Sequence, residues 1–242
     1  YNFKKNDYSI IIGSNLEDAT YTNNTTQTFT VGNSIITGIN NVNLHFIKYG
    51  AFTQISKTYF ENKLTSSIGL RLDGNSFTDN ANSHNLSPRL SLAYNINSKI
   101  SINSNIGRFH QLPSYTILGF ENNGNYLNQD AAYISCDHAV IGIEYNPSSY
   151  SKITLESFYK SYNNYPFSIL DSISLANLGD NFGVVGNEDI SSISKGNSYG
   201  IELLAQQKMS SSIYGIISAT YYRSRFEDKE GQLISSKWDN RF

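Results

Sequence analysis

Six charged side chains fall on the polar side of runs that alternate with a period of two. They are Arg71 and Asp73 in residues 64–73, Glu144 in 139–145, Glu156 and Lys160 in 152–165, and Glu202 in 198–207. Paired carboxylates can act as general acid and base on a glycosidic bond, but these three glutamates sit in three separate runs. No GxSxG nucleophile elbow is present. His45, His84, His110 and His138 show no HxH or HxxxH spacing, and Cys136 is the single cysteine. The chain is therefore expected to hold no metal, no cofactor and no disulfide framework. Asp73-Gly74-Asn75 and Gly179-Asp180-Asn181 match only fragments of a calcium loop. Asn24-Thr25-Thr26 fits a glycosylation sequon, a pattern common by chance. The charges read as a lining that holds or passes something, and catalysis is not expected.

A second set belongs to recognition. Residues 111–137 form an Asn-, Gly- and Tyr-rich loop carrying Tyr115, Phe120, Tyr126 and Tyr133. Tyrosines stack on flat or sugar ligands and hydrogen-bond to them, and loops on a rigid scaffold usually carry binding residues.

The elements that must position these groups are strands. In residues 87–110, Leu90, Leu92, Tyr94 and Ile96 oppose Arg89, Ser91, Ala93 and Asn95. After Asn97-Ser98-Lys99, Ile100, Ile102 and Ile106 oppose Ser101, Asn103 and Asn105. That is an antiparallel hairpin with one apolar and one wet face. Comparable runs recur at 8–15, 43–56, 64–73, 139–145, 152–165, 198–207 and 213–225, about ten strands in all. An Asn/Thr-rich stretch to about residue 41 is expected as the first long loop. Short and long connections then alternate, as in an up-and-down barrel with turns at one rim and loops at the other. Tyr8, Tyr94, Tyr145, Tyr165, Tyr199, Tyr221 and Tyr222 near strand ends have the placement of interfacial aromatic girdles. Arg108 and His110 keep the outward parity of their strand, which either puts them at or above the upper interface or marks a bulge.

Composition agrees. The chain has 242 residues, 39% hydrophobic and 16% charged, against roughly 25% charged in soluble domains. A net charge of −2 gives no electrostatic case for nucleic acid. No run approaches the ~18 apolar residues of a membrane helix, but barrel strands need only ~9–11. The opening YNFKKND has no apolar core of a signal peptide.

Several stretches resemble the barrel of TonB-dependent outer-membrane receptors of the Bacteroidetes type. They are GLRLDGNSF (69–77), SPRLSLAY (87–94), IGRFHQ (106–111) with Pro113, DHAVIGIEY (137–145), ITLESFYKSYNNY (153–165), GNSYGIELL (196–204), residues 214–225 and WDNR (238–241). The resemblance implies an all-β transmembrane barrel segment over residues 1–242, part of a larger plugged barrel of about 22 strands. Phe242 stands where that family usually has His. It further implies a bacterial outer-membrane location and energy-coupled uptake of a scarce ligand. The implied partners are outer-membrane lipid, an inner-membrane TonB complex acting through a plug domain, and a small-molecule, siderophore, cobalamin, oligosaccharide or peptide ligand. The six charges would line the lumen and hold the plug or pass the ligand, and the loop aromatics would meet it outside. The alternative is a stand-alone barrel or β-sandwich adhesin.

Overall fold

The computed structural model describes residues 1–5, 7–31, 34–79, 85–178, 188–210 and 213–239. His84, the 179–181 fragment, Asn240, Arg241 and Phe242 lie outside the described residues. In chain order the elements are β1 (Asn2–Lys5), β2 (Tyr8–Val31), β3 (Ser34–Tyr59), β4 (Leu64–Asn75), β5 (Leu86–Asn95) and β6 (Ile100–Gln111). There follow α1 (Tyr115–Leu118), β7 (Glu121–Asn122), β8 (Asn125–Tyr126), β9 (Ile134–Ser148), β10 (Ser151–Ser168), β11 (Ile173–Ser174) and α2 (Leu175–Leu178). The last are β12 (Ile190–Ser210), β13 (Ile213–Glu227) and β14 (Leu233–Ser235). All strands but β7 and β8 belong to one 12-stranded antiparallel sheet, meandering from β1 to β14 with β11 beside β10. The sheet is open, with β1 and β14 at its ends. β7 and β8 form a small hairpin of their own.

Side chains alternate as the sequence requires. Ile68 and Ile141 are 66% and 57% exposed, and Leu70, Leu92, Ile106, Ile143, Leu155, Ile201 and Leu203 are exposed with them. In a sandwich these residues would form the core; here they form an outer apolar surface that only a bilayer can cover. The cross-strand row Ile102, Ile143, Leu155, Leu203 crosses four strands in register. Tyr49, Tyr159, Tyr199 and Tyr221 stand on this face towards the long-loop end, and Tyr8, Tyr59, Tyr94 and Tyr145 towards the short-turn end. Tyr165 and Tyr222 do not join the girdles. Both point to the concave side, because Tyr222 pairs with inward Gly200 and Tyr165 packs on Phe226 at 4.7 Å.

One expected loop is strand. The Asn/Thr-rich stretch after residue 15 continues β2 and β3, which pair without a break from Tyr8↔Lys57 to Val31↔Ser34. β-Branched threonines suit the pleat. Along β3 the polarity inverts at Phe46–Ile47. Val42, Leu44 and Phe46 are buried on the concave side with Asn41, Asn43 and His45 exposed outside; below, Ile47, Tyr49 and Ile55 are outside. A strand that is apolar-out and then apolar-in has left the bilayer. From Ile47 to Tyr59 is about 40 Å along the strand, or about 30 Å along the normal at a tilt of ~40°. The outward ion pairs His45–Asp18 (2.6 Å) and Arg108–Asp137 (2.7 Å) mark the upper edge.

The hydrophobic core lies above that edge. Ala19, Val42, Leu44 and Phe46 of the long hairpin pack on Ile117 and Leu118 of α1, on Ala131, on Leu175 of α2 and on Ile190 of β12. The long connections are thus folded into a cap on the concave side. Fully buried Asn128 clips it: its Nδ2 donates to the carbonyls of Ile117 (2.7 Å) and Glu188 (2.9 Å), and its Oδ1 accepts the Ile190 amide (3.0 Å). Asn177 ties α2 to the Phe226 carbonyl (3.2 Å).

Candidate functional site

Beneath the cap, the inner faces of β2, β3 and β4 and the end of β6 enclose a cavity of about 520 Å³. Arg71 and Asp73, two apart on β4, share this face. Arg71 Nε donates to Asp73 Oδ2 at 2.7 Å, and its Nη2 donates to Asp73 Oδ1 at 2.5 Å and to Asn15 Oδ1 at 3.1 Å. Gly50 lies between them in register, paired with Asn15 on one side and Asp73 on the other. A Cβ there would stand 2.8 Å from both Asn15 Oδ1 and Asp73 Oδ1, so only glycine leaves room for the cluster.

One step higher, Glu17 and Lys48 are cross-strand partners. Lys48 Nζ contacts Glu17 Oε1 at 2.6 Å and donates to the Tyr115 hydroxyl at 2.7 Å. α1 delivers Tyr115, whose ring meets Phe46 edge-on at 5.4 Å and Tyr21 at 5.8 Å. Tyr133 closes another side. Its hydroxyl accepts from Asn75 Nδ2 at 3.2 Å, and burial pushes it above the usual tyrosine range. His110 reaches the cavity and holds Ser87 at 3.0 Å. Burial, then the Arg108 charge, press His110 below the ordinary histidine range.

The cavity gathers Arg71, Asp73, Tyr115 and Tyr133 from the sequence-based candidates. Tyr126 lies elsewhere, donating to the Asn43 carbonyl at 2.8 Å with its ring on Phe77 at 5.2 Å; Phe120 follows α1 half-buried. Asn15, Glu17 and Lys48 also line it, and pattern reading passed over them; His110, expected outward at the upper edge, reaches the cavity as well. Glu17 lies just inside the stretch expected as loop. Its partnership with Lys48 becomes visible only once β2 and β3 are in register.

The other four charges lie on the inner faces of β9, β10 and β12. Glu156 and Glu202 are direct cross-strand partners. Gly142, opposite Glu156 on β9, has no side chain to obstruct it; a Cβ there would meet Glu156 Cγ at 2.7 Å. Glu144 is already engaged, with Lys152 Nζ at 2.6 Å and Asn146 Nδ2 at 2.9 Å. Higher up, Lys160 stands 5.3 Å from the Phe158 ring. Lys160 and Glu202 border a second inner cavity of about 480 Å³, walled by Tyr162, Tyr165, Tyr222, Phe226 and Trp238. Tyr162 lies above the bilayer band, one residue past the partner of Asp137. Burial pushes its hydroxyl up to about 12. Among the described residues no three His, Cys, Asp or Glu side chains form a group able to hold a metal ion.

A meandering sheet with an apolar convex face, two aromatic girdles and a charged concave face is part of the wall of an outer-membrane β-barrel. The chain belongs to the TonB dependent receptor-like β-barrel family, whose model matches residues 1–240. Its fold is shared with solved transporters. Copper transporter OprC superposes with a TM-score of 0.63 at 12% identity, over 96% of this chain and 38% of that one. The FrpB iron transporter from Neisseria meningitidis (F3-3 variant) gives 0.63 at 13%, over 97% and 36%. The siderophore receptor PirA from Pseudomonas aeruginosa gives 0.60 at 14%, over 93% and 40%. The chain thus spans about two fifths or less of each of these structures. No curated protein matches it in sequence.

Proposed function

We propose that this chain is the ligand-receiving wall of a TonB-dependent transporter that imports a scarce polar nutrient, and that it is not an enzyme. The observation that carries this is the placement of the charges. Arg71–Asp73 and Lys48–Glu17 face a cavity directly below the folded cap, whereas Glu156 and Glu202 face each other lower on the wall. Ion pairs and a hydroxyl converging on one concavity suit a polar ligand with both donors and acceptors. Siderophore, cobalamin, oligosaccharide and peptide all meet that description.

Two carboxylates directly opposed across a ladder repel. Inside a barrel that repulsion is relieved by a basic group brought to them, and the natural donor is a plug domain. Moving the plug, by a TonB complex of the inner membrane, would then open the path past Lys160. The test is uptake by the full-length protein in cells. Arg71→Ala and Lys48→Ala should weaken ligand binding at unchanged barrel abundance, whereas Glu156→Gln with Glu202→Gln should spare binding and impair uptake. Unchanged binding and uptake in all three variants would remove these residues from the transport path.

A further inference from the structure

The two ends of the membrane band carry different charge. At the short-turn end stand Lys4, Lys5, Lys57, Lys63, Lys99 and Lys208, against Asp7 and Glu61. Among the described residues, none of these six lysines forms an ion pair; the ion pairs all lie elsewhere on the wall. At the long-loop end outward ion pairs are present, Asp18 with His45 and Arg108 with Asp137.

The lysines are also at lipid-headgroup height. Lys5, Tyr8 and Lys57 are cross-strand partners on the convex face. Lys57 Nζ stands 4.5 Å from the Tyr8 ring centroid and 4.8 Å from that of Tyr59, so an ammonium is fixed inside the lower aromatic girdle. Lys63 and Lys99 are exposed in the turns beside it, with stems long enough to bring their ammonium groups to the same level. The outward pair Lys5 and Lys57 is out of reach of the lumen and faces the bilayer, which supplies counter-charge. An ammonium offers three donors and a phosphodiester supplies acceptors together with a negative charge, an attraction strengthened near a low-dielectric surface.

We propose that this lysine collar binds anionic phospholipid of the phosphatidylglycerol class in the periplasmic leaflet, anchoring the short-turn rim and fixing its depth. The collar recognises a charged headgroup, and the apolar face above it takes the acyl chains.

The test uses the full-length protein reconstituted into mixed phosphatidylcholine–phosphatidylglycerol vesicles with a trace of one spin-labelled lipid or the other. The motionally restricted fraction should favour labelled phosphatidylglycerol by about threefold, an order set by a few near-surface lysines. Combining Lys5→Gln, Lys57→Gln, Lys63→Gln and Lys99→Gln should bring the ratio close to one, and the four arginine replacements should keep it. Arg108→Gln with Asp137→Asn should leave it unchanged. If the quadruple glutamine variant does not assemble, high salt on the wild type reads the same attraction and should drive the ratio towards one. Equal restriction of both lipids by the wild type overturns the proposal. So does a preference that survives both charge removal and salt.

Discussion

Glu156 on β10 and Glu202 on β12 are cross-strand partners on the concave face of the wall, with Gly142 opening the space beside them. Like charges so placed cost a few tenths to about 1 kcal/mol relative to a neutral pair. Replacing either with glutamine should therefore stabilise the isolated barrel by about 0.5 kcal/mol. In the complete protein the same change should loosen the plug. Denaturant unfolding of barrel with and without plug measures both effects; equal stabilisation in the two forms would mean that nothing basic sits on the pair.

The cap depends on Asn128. Alanine there leaves the Ile117 and Glu188 carbonyls and the Ile190 amide without their buried partner, a loss of about 3 kcal/mol for groups costing ~1–3 kcal/mol each. The loss should be local. Amide exchange should accelerate across α1, the segment before β12 and the top of β3, while the β4–β6 ladder keeps its protection. Acceleration spread evenly over the sheet would contradict a separately folded cap.

Much of this was legible in the alternation, and the boundary of legibility is physical. Leu90, Leu92 and Ile102 announce an apolar face because strand periodicity is local. Whether that face meets protein or lipid is not local, and only the exposure of the folded face decides it: Leu92 is exposed, with Leu90 and Ile102 half-buried beside it. The Asn/Thr stretch was misleading because its strands are polar on the outside above the bilayer, where composition looks like loop. Among the charged candidates, Arg71 and Asp73 were visible as near neighbours on one strand. Glu17 with Lys48, and Glu156 with Glu202, needed the register between strands. Asn128 gives no signal in sequence, since its value lies in carbonyls from distant segments.

Tyr162 supplies an alkaline limit for the cap. Its hydroxyl titrates near 12 in the folded protein against 10.0 for an exposed tyrosine, because burial disfavours the phenolate. A folded-state value above the unfolded one means that the contribution is complete below pH 10 and is lost as pH rises from 10 towards 12. Tyr162→Phe should flatten the decline of stability with pH over that interval, measured alongside tyrosinate absorbance. An unchanged decline would assign it to other groups.

The outward face makes a further demand. Arginine at Leu155 or Ile141, mid-band and exposed, should lower barrel stability by about 2–4 kcal/mol in lipid, whereas at Leu16 or Ile47, near the upper edge, the cost should be about 1 kcal/mol or less. Folding titrations in phosphatidylcholine vesicles give the four values. No dependence on depth would place these strands outside the bilayer.

The most direct measurement is site-directed spin labelling at Ile153, Thr154, Leu155 and Glu156 of the full-length protein in lipid vesicles. A wall with lipid on one side and a wet, charged lumen on the other predicts alternation. Labels at 153 and 155 should collide with dissolved oxygen, and labels at 154 and 156 with a water-soluble nickel chelate. Uniform accessibility along the four positions, or alternation in the opposite phase, would contradict the account.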